Sequence, residues 1–258
     1  MNPKLIQIQN LAWRGILQDI ELTLSEKSFT VVIGRNGAGK SSLFRCISGW
    51  HSDFKGEITL RGKALKTIQP LEKAETIAYL PQRLQLSEKV LVSEWLSLAR
   101  YRFQEPKYIS TQQVKTCLSN YRLSHLEHRR WPELSGGEAQ RISLLSLRLQ
   151  ESTVWMLDEP ANHLDPNVQQ QVYNDIVSAW RESRSILMST HNINLVLQSL
   201  PSSELKHVQI IGMENGRIQF TCSAADPDLA THVGELYNLN CIEHEVADSK
   251  QLFFKAKL

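Results

Sequence analysis

Gly34-Arg35-Asn36-Gly37-Ala38-Gly39-Lys40-Ser41 is the stretch on which the fold turns. It fits G-x-x-x-x-G-K-[ST], a loop built to wrap phosphate. Glycines let backbone N–H groups approach anionic oxygens with no Cβ in the way. A helix that follows adds unsatisfied N–H groups and the positive end of its dipole. Lys40 supplies a point charge for β- and γ-phosphates, and the Ser41 hydroxyl is placed to ligate Mg²⁺. An accidental glycine turn is the bland alternative, and the flanks argue against it. Phe29 to Ile33 is a short continuous apolar run, fitting a fully buried strand, and Lys40 to about Ser48 reads as a helix.

Working outward, residues 5–9 and 18–24 alternate apolar and polar, as half-buried antiparallel strands do, and 57–60 and 77–80 read as further strands. From about Val92 to Trp131 helical spacing dominates, with Leu91, Trp95, Leu98 and then Val114, Leu118, Tyr121 recurring. This predicts a helical insertion that runs on into a helix starting near Gly136. Strands return at Val154 to Leu157 and Ser185 to Ser189, separated by a helix over about 165–184, the rhythm of a parallel sheet with crossover helices. Asn215-Gly216 between 208–211 and 217–220 predicts a tight hairpin. Residues 240–246 and 251–256 suggest another.

Two further motifs carry chemistry. Val154-Trp155-Met156-Leu157-Asp158-Glu159 is an apolar strand that would deliver two carboxylates to the ligand edge of an open α/β sheet. Asp158 would hold Mg²⁺ directly or through its water shell, and Glu159 would polarise an attacking water as general base. Leu134-Ser135-Gly136-Gly137-Glu138 offers a hydroxyl and free N–H groups at a helix start, a second anion nest. Alone, it is an N-capped helix with serine at the cap. Its place 20 residues before the paired carboxylates favours the second nest.

Composition limits the alternatives. Lys and Arg total 29 against 27 Asp and Glu, net +2, which argues against a dedicated nucleic-acid binder. Cys46, Cys117, Cys222 and Cys241 form no CxxC pair, so neither a zinc site nor a disulfide framework is suggested. No apolar run reaches the roughly 20 residues that span a bilayer, and the start of the chain lacks a signal-peptide stretch. A soluble, cytoplasmic protein is expected, with any membrane role acting through a partner.

In order, GRNGAGKS, LSGGE and VWMLDE resemble the motifs of the ABC (ATP-binding cassette) ATPases, as do Gln82 after IAYLP, the loop Ala161-Asn162-His163-Leu164-Asp165 and His191 after ILMST. The resemblance implies an α/β fold: a P-loop NTPase core with a mostly parallel sheet, an antiparallel β subdomain and a helical insertion subdomain. Residues 1–238 would be the cassette, with the helical subdomain at about 90–150, and 239–258 a short C-terminal extension. It implies ATP hydrolysis with Mg²⁺ in a head-to-tail homodimer. ATP would lie between Gly34, Arg35, Asn36, Gly37, Ala38, Gly39, Lys40, Ser41 and Ser42 of one copy and Ser135, Gly136, Gly137 and Glu138 of the other. Gln82 would reach Mg²⁺ and the attacking water, His191 the γ-phosphate, and Asp165 would couple the two sites. Asp165-Pro166 is also a good helix start. Trp13 matches the place of the family's adenine-stacking aromatic, or else serves packing. Glu138 stands for the commoner Gln, and Asn192 for a frequent Asp.

Length, the spacing of Gln82, and the tail Asp226-Pro227-Asp228-Leu229-Ala230 to Glu235-Leu236-Tyr237 further resemble the ATPases of iron-siderophore, haem and vitamin B12 uptake. That implies transmembrane permease partners on the cytoplasmic face of the membrane and, indirectly, a substrate-binding protein. The permease's coupling helix would enter a groove near Gln82 and the insertion. Trp95, Arg100, Tyr101 and Arg102 would border that groove or pack as a helix with a solvated basic end. The rival classes are a soluble ABC ATPase acting on nucleic acid or the ribosome, and an exporter component.

Overall fold

Alternation in Lys4–Trp13 (β1) and Leu17–Ser25 (β2) gives an antiparallel pair, with Ile6 opposite Leu24 and Ile8 opposite Leu22. The computed structural model describes residues 3–82, 84, 89–246 and 249–256. Within them, Phe29–Ile33 (β3) leads through the phosphate loop into Lys40–Ile47 (α1). Lys55–Leu60 (β4) pairs with the other edge of β1, and Lys63–Ala64 (β5) completes a four-stranded sheet ordered β2-β1-β4-β5. Pro70–Thr76 (α2) then returns the chain to the central sheet at Ile77–Leu80 (β6).

The insertion comprises Val92–Leu98 (α3) and Lys107–Asn120 (α4), followed by Gly136–Gln150 (α5). Beyond it come Val154–Asp158 (β7), Pro166–Arg181 (α6), Ser185–Ser189 (β8), Ile193–Gln198 (α7), Val208–Glu214 (β9) and Arg217–Ser223 (β10). The six-stranded sheet among the described residues runs β10-β9-β3-β8-β7-β6, parallel throughout except for the β9–β10 hairpin. Asn215 and Gly216 both take positive φ at that turn, as the dipeptide predicts.

Every residue of β3, β7 and β8 is buried because both faces of the sheet are covered. Val31, Trp155, Leu157, Ile186 and Met188 face a core with α6 and α7, while Val32, Met156 and Leu187 face one with β1, β2 and α1. The period-two division is present in space although the sequence shows only a continuous apolar run. Helix α5 is shared in the same way: Leu144 and Leu147 join the main core, whereas Ile142, Leu145 and Leu149 join Val92, Leu96, Val114 and Leu118 in the helical core. Its run ISLLSLRLQ is buried nearly all round for that reason.

The insertion is helical as expected, but its inward face on α3 is Val92 and Leu96; Leu98 is 62% exposed. Arg100 is buried rather than a solvated end. Its guanidinium donates to Glu105 at 2.5 and 2.9 Å, to Glu151 at 2.8 Å and to the Leu149 carbonyl at 3.2 Å. Trp95 is half-buried and meets Trp131 edge-on. Tyr101 is exposed, and Arg102 is tied to the Gln150 carbonyl.

The tail motif is a helix, Leu229–Tyr237 (α8), which ends at Asn238 in the left-handed region. Leu239–Val246 (β11) and Ser249–Ala256 (β12) form the expected antiparallel hairpin. The hairpin is held to the body. Leu252 belongs to the main core, and its backbone exchanges hydrogen bonds with the Asn194 side chain of α7.

Candidate functional site

The loops after β3, β7 and β8 open on one edge of the sheet and enclose a cavity of about 1160 Å³. It is lined by Gly34 through Ser42, by Gln82, Glu159, Asn162, His163, His191 and Tyr237, and by Ile16. Two glycines are dictated by the surroundings. At Gly34, φ is +153° and a Cβ would fall 2.2 Å from the Met213 carbonyl. At Gly39, φ is +102° and a Cβ would fall 2.9 Å from Leu17.

Lys40 is buried, and its ammonium folds back on the loop, donating to the carbonyls of Gly34 at 2.7 Å and Arg35 at 3.3 Å. Facing it at 3.7 Å is Glu159, whose side chain is 9% exposed. The Glu159 carboxylate accepts from Gln82 Nε2 at 2.7 Å and Asn162 Nδ2 at 2.8 Å, and His191 Nδ1 stands 3.8 Å away. Glu159 takes a positive φ of 49°, a strained choice for glutamate that turns its side chain out of the strand line. Asp158 is buried and accepts from the Ser189 hydroxyl at 2.6 Å; the same oxygen accepts from the Glu159 N–H at 3.0 Å. One serine thus sets both acids.

The phosphate loop, Gln82, Glu159 and His191 come together as the sequence predicts. Ser135, Gly136, Gly137, Glu138 and Asp165 do not line this cavity. Ser135 caps α5, its hydroxyl accepting from the Glu138 N–H at 3.3 Å, while its N–H and O–H both donate to the Glu138 carboxylate. Those two donors hold the carboxyl below the usual carboxylate range. Gly136 and Gly137 pack under Leu164 and Val168, with a Cβ at Gly137 only 3.0 Å from Val168. Ser135, Gly136 and Asp165 are exposed, and Asp165 caps α6 by position without a side-chain bond.

Trp13 is the residue that the structure places elsewhere. Only 7% exposed, it stacks on His51 at 4.0 Å between ring centroids, and its Nε1–H donates to Asp53 at 2.9 Å. That bond, with one from Arg14, keeps the Asp53 carboxyl low. Ile16 lies at the cavity instead. Ser189 and Tyr237 join the site without any local sequence pattern that marks them for it. Ser189 ends an ordinary apolar strand, and Tyr237 reaches the loop from 203 residues away, its hydroxyl accepting from the Gly34 N–H at 3.1 Å.

Asp158 and Ser41 are hard oxygen donors, and Gln82 adds an amide oxygen. Among the described residues there is no cluster of three His, Cys, Asp or Glu that could hold a metal. Ser41 and Gln82 line the cavity and Asp158 lies buried outside its lining; oxygen donors are the type Mg²⁺ takes, one or two from protein with substrate phosphates and water completing its shell.

A family model described as ABC transporter matches residues 17–162. The chain belongs to the ABC transporter family. ABC cassettes hydrolyse ATP in support of transport, and this chain is such an ATP-binding subunit. It is 29% identical over 248 residues to the hemin import ATP-binding protein HmuV of Bordetella parapertussis, covering 91% of this chain and 92% of that protein. It is 35% identical over 211 residues to the zinc import ATP-binding protein ZnuC of Saccharophagus degradans, covering 78% and 76%. A solved metal-chelate type ABC transporter in an inward-facing conformation superposes with a TM-score of 0.80 at 22% identity, covering 98% of this chain and 96% of that one. No helix among the described residues is long and apolar enough to cross a membrane.

Proposed function

We propose that this cassette powers uptake of a metal chelate of the haem, siderophore or cobalamin kind, as a homodimer bound to a transmembrane permease at the cytoplasmic face. One observation carries the ATP-dependent cycle. The cavity brings together the phosphate loop, Glu159, Gln82 and His191, while Ser135, Gly136 and Asp165 lie exposed outside it. A triphosphate in the cavity of one copy would take its remaining contacts from Ser135, Gly136, Gly137 and Glu138 of another, so ATP would close the dimer. Engaging a phosphate there would require a second copy, and the Ser135 donors, which now serve the Glu138 carboxylate, would turn to the ligand.

Lys40 and the loop N–H groups would bind the β- and γ-phosphates. Ser41, Asp158 and Gln82 would hold Mg²⁺, which supplies charge neutralisation at the phosphate oxygens. Glu159 would accept a proton from the attacking water, with Gln82 and Asn162 fixing its carboxylate, and His191 would donate toward the γ-phosphate. Hydrolysis would remove the bridging phosphate and let the copies part. Similarity to hemin and zinc import proteins supports import, and the tail motif supports the chelate class.

The test uses the full chain and its Glu159→Gln variant with tagged pull-down from detergent-solubilised membranes. The variant should bind ATP, sediment as a dimer in ATP, and turn over more slowly by about 10²–10⁴-fold. Turnover at the wild-type rate removes Glu159 as the base. Recovery of ribosomal proteins or nucleic acid with no polytopic permease overturns the transport assignment and leaves the ATPase chemistry in place.

A further inference from the structure

The C-terminal segment reaches into the cavity at one point, and the contact is specific. Gly34 is buried, and its two polar groups are both engaged: the carbonyl by Lys40 and the N–H by the Tyr237 hydroxyl. Arg35, the next residue, donates from its guanidinium to the Tyr237 carbonyl. One residue at the end of α8 therefore holds the first two residues of the phosphate loop.

Tyr237 is itself fixed from behind. Leu229, Val233 and Leu236 bury one face of α8 in the main core. An Asx turn starts the helix, with the Asp228 N–H donating to Asp226 Oδ1 at 2.9 Å. The Tyr237 ring meets Phe254 of β12 edge-on at 6.4 Å. Two residues earlier on that strand, Leu252 is hydrogen-bonded in both directions to Asn194 of α7, which follows the His191 turn. The segment beyond residue 224 thus bridges the phosphate loop and helix α7. Loss of the Tyr237 oxygen would leave the Gly34 N–H without its protein acceptor and free the first turn of the loop from α8.

We infer that Tyr237 is a positioning residue for the phosphate loop, through which the α8–β12 segment sets ATP affinity. This rests on the cavity being the ATP site. It assigns a role in nucleotide binding to the tail, beyond packing.

Full-length wild type, Tyr237→Phe and Tyr237→Ala are compared for MgATP binding by calorimetry, for KM and kcat, and for melting temperature. The phenylalanine variant keeps the ring contact and loses only the oxygen. Its Kd and KM for ATP should rise by about three- to tenfold, the equivalent of one lost hydrogen bond, with kcat within about twofold. The alanine variant should show the same loss of affinity and, in addition, a lower melting temperature from lost packing. Unchanged ATP affinity in Tyr237→Phe overturns the inference, as does an affinity loss that appears only in Tyr237→Ala in step with its melting temperature. A wild-type protein that binds no ATP at all would instead overturn the underlying site reading.

Discussion

Ser189→Ala tests whether a single buried hydroxyl holds both acids of the site. Ser189 is fully buried, and its oxygen makes two bonds in opposite senses: it donates to Asp158 at 2.6 Å and accepts from the Glu159 N–H at 3.0 Å. A hydrogen bond to a charged group contributes about 1.5–3 kcal/mol. The second bond is worth less, because the Glu159 N–H also reaches the Ser189 carbonyl at 3.2 Å, which alanine retains. The sum is about 2–3 kcal/mol, with no water able to enter a site that alanine still fills. Urea unfolding should show a lower midpoint at unchanged slope. ATP turnover should fall by roughly ten- to a hundredfold, because Asp158 loses its orienting donor and Glu159 its nearer anchor. Stability within about 0.5 kcal/mol of wild type, together with unchanged turnover, would refute the idea that Ser189 sets the acids.

Trp13→Phe should lower stability by about 1 kcal/mol through loss of the Nε1–H bond to Asp53 while leaving the Kd for ATP within about twofold; a loss beyond about fivefold in calorimetry would return the ring to the adenine. Arg100→Met should destabilise by about 2 kcal/mol in urea at neutral pH, less than a fully buried pair because its carboxylates lie nearer the surface. Arg100 holds the Glu105 carboxyl below its usual range, so that contribution is present above the ordinary carboxylate range and is lost as pH falls. The gap between wild type and variant should therefore narrow between about pH 5 and pH 3, and a gap that widens in that window contradicts the pairing. Burial, aided by the Asp53 charge, pushes the Cys46 thiol up to about 12. In native protein at pH 8, Cys46 should resist maleimide as read by mass spectrometry, and it should label in denaturant.

The parts of the site that local chemistry determines were readable. The glycine spacing from Gly34 to Gly39, the apolar run before it and the carboxylates after Leu157 each state their conformation within a few residues. Trp13 was not readable, because the residues that cover it, His51 and Asp53, follow it by about forty positions and are unremarkable in sequence. Arg100 misleads in the same way. A basic residue after an amphipathic helix looks solvated until Glu105, Glu151 and the Leu149 carbonyl are seen to converge on it. Leu98 fits a helical stripe by spacing, yet α3 is rotated so that Val92 and Leu96 face inward. Tyr237 depends on a return across most of the chain, which no local pattern encodes.

The identity of the groups around Glu159 bears on how the site changes hands from carbonyls to phosphate. Lys40 and Glu159, 3.7 Å apart, attract each other by about 4 kcal/mol at an effective dielectric of 20, before desolvation. Once phosphate oxygens take the Lys40 ammonium, that pairing is diluted, and a carboxylate held only by lysine would also lose its position. Gln82 and Asn162 would prevent this: both are neutral donors, at 2.7 and 2.8 Å, and neither bond involves the lysine. Neutral donors fix the carboxylate without adding a full positive charge, so its geometry does not rest on the lysine alone. For the general base proposed above, anchors of this kind would keep the carboxylate in place when a phosphate takes the Lys40 ammonium.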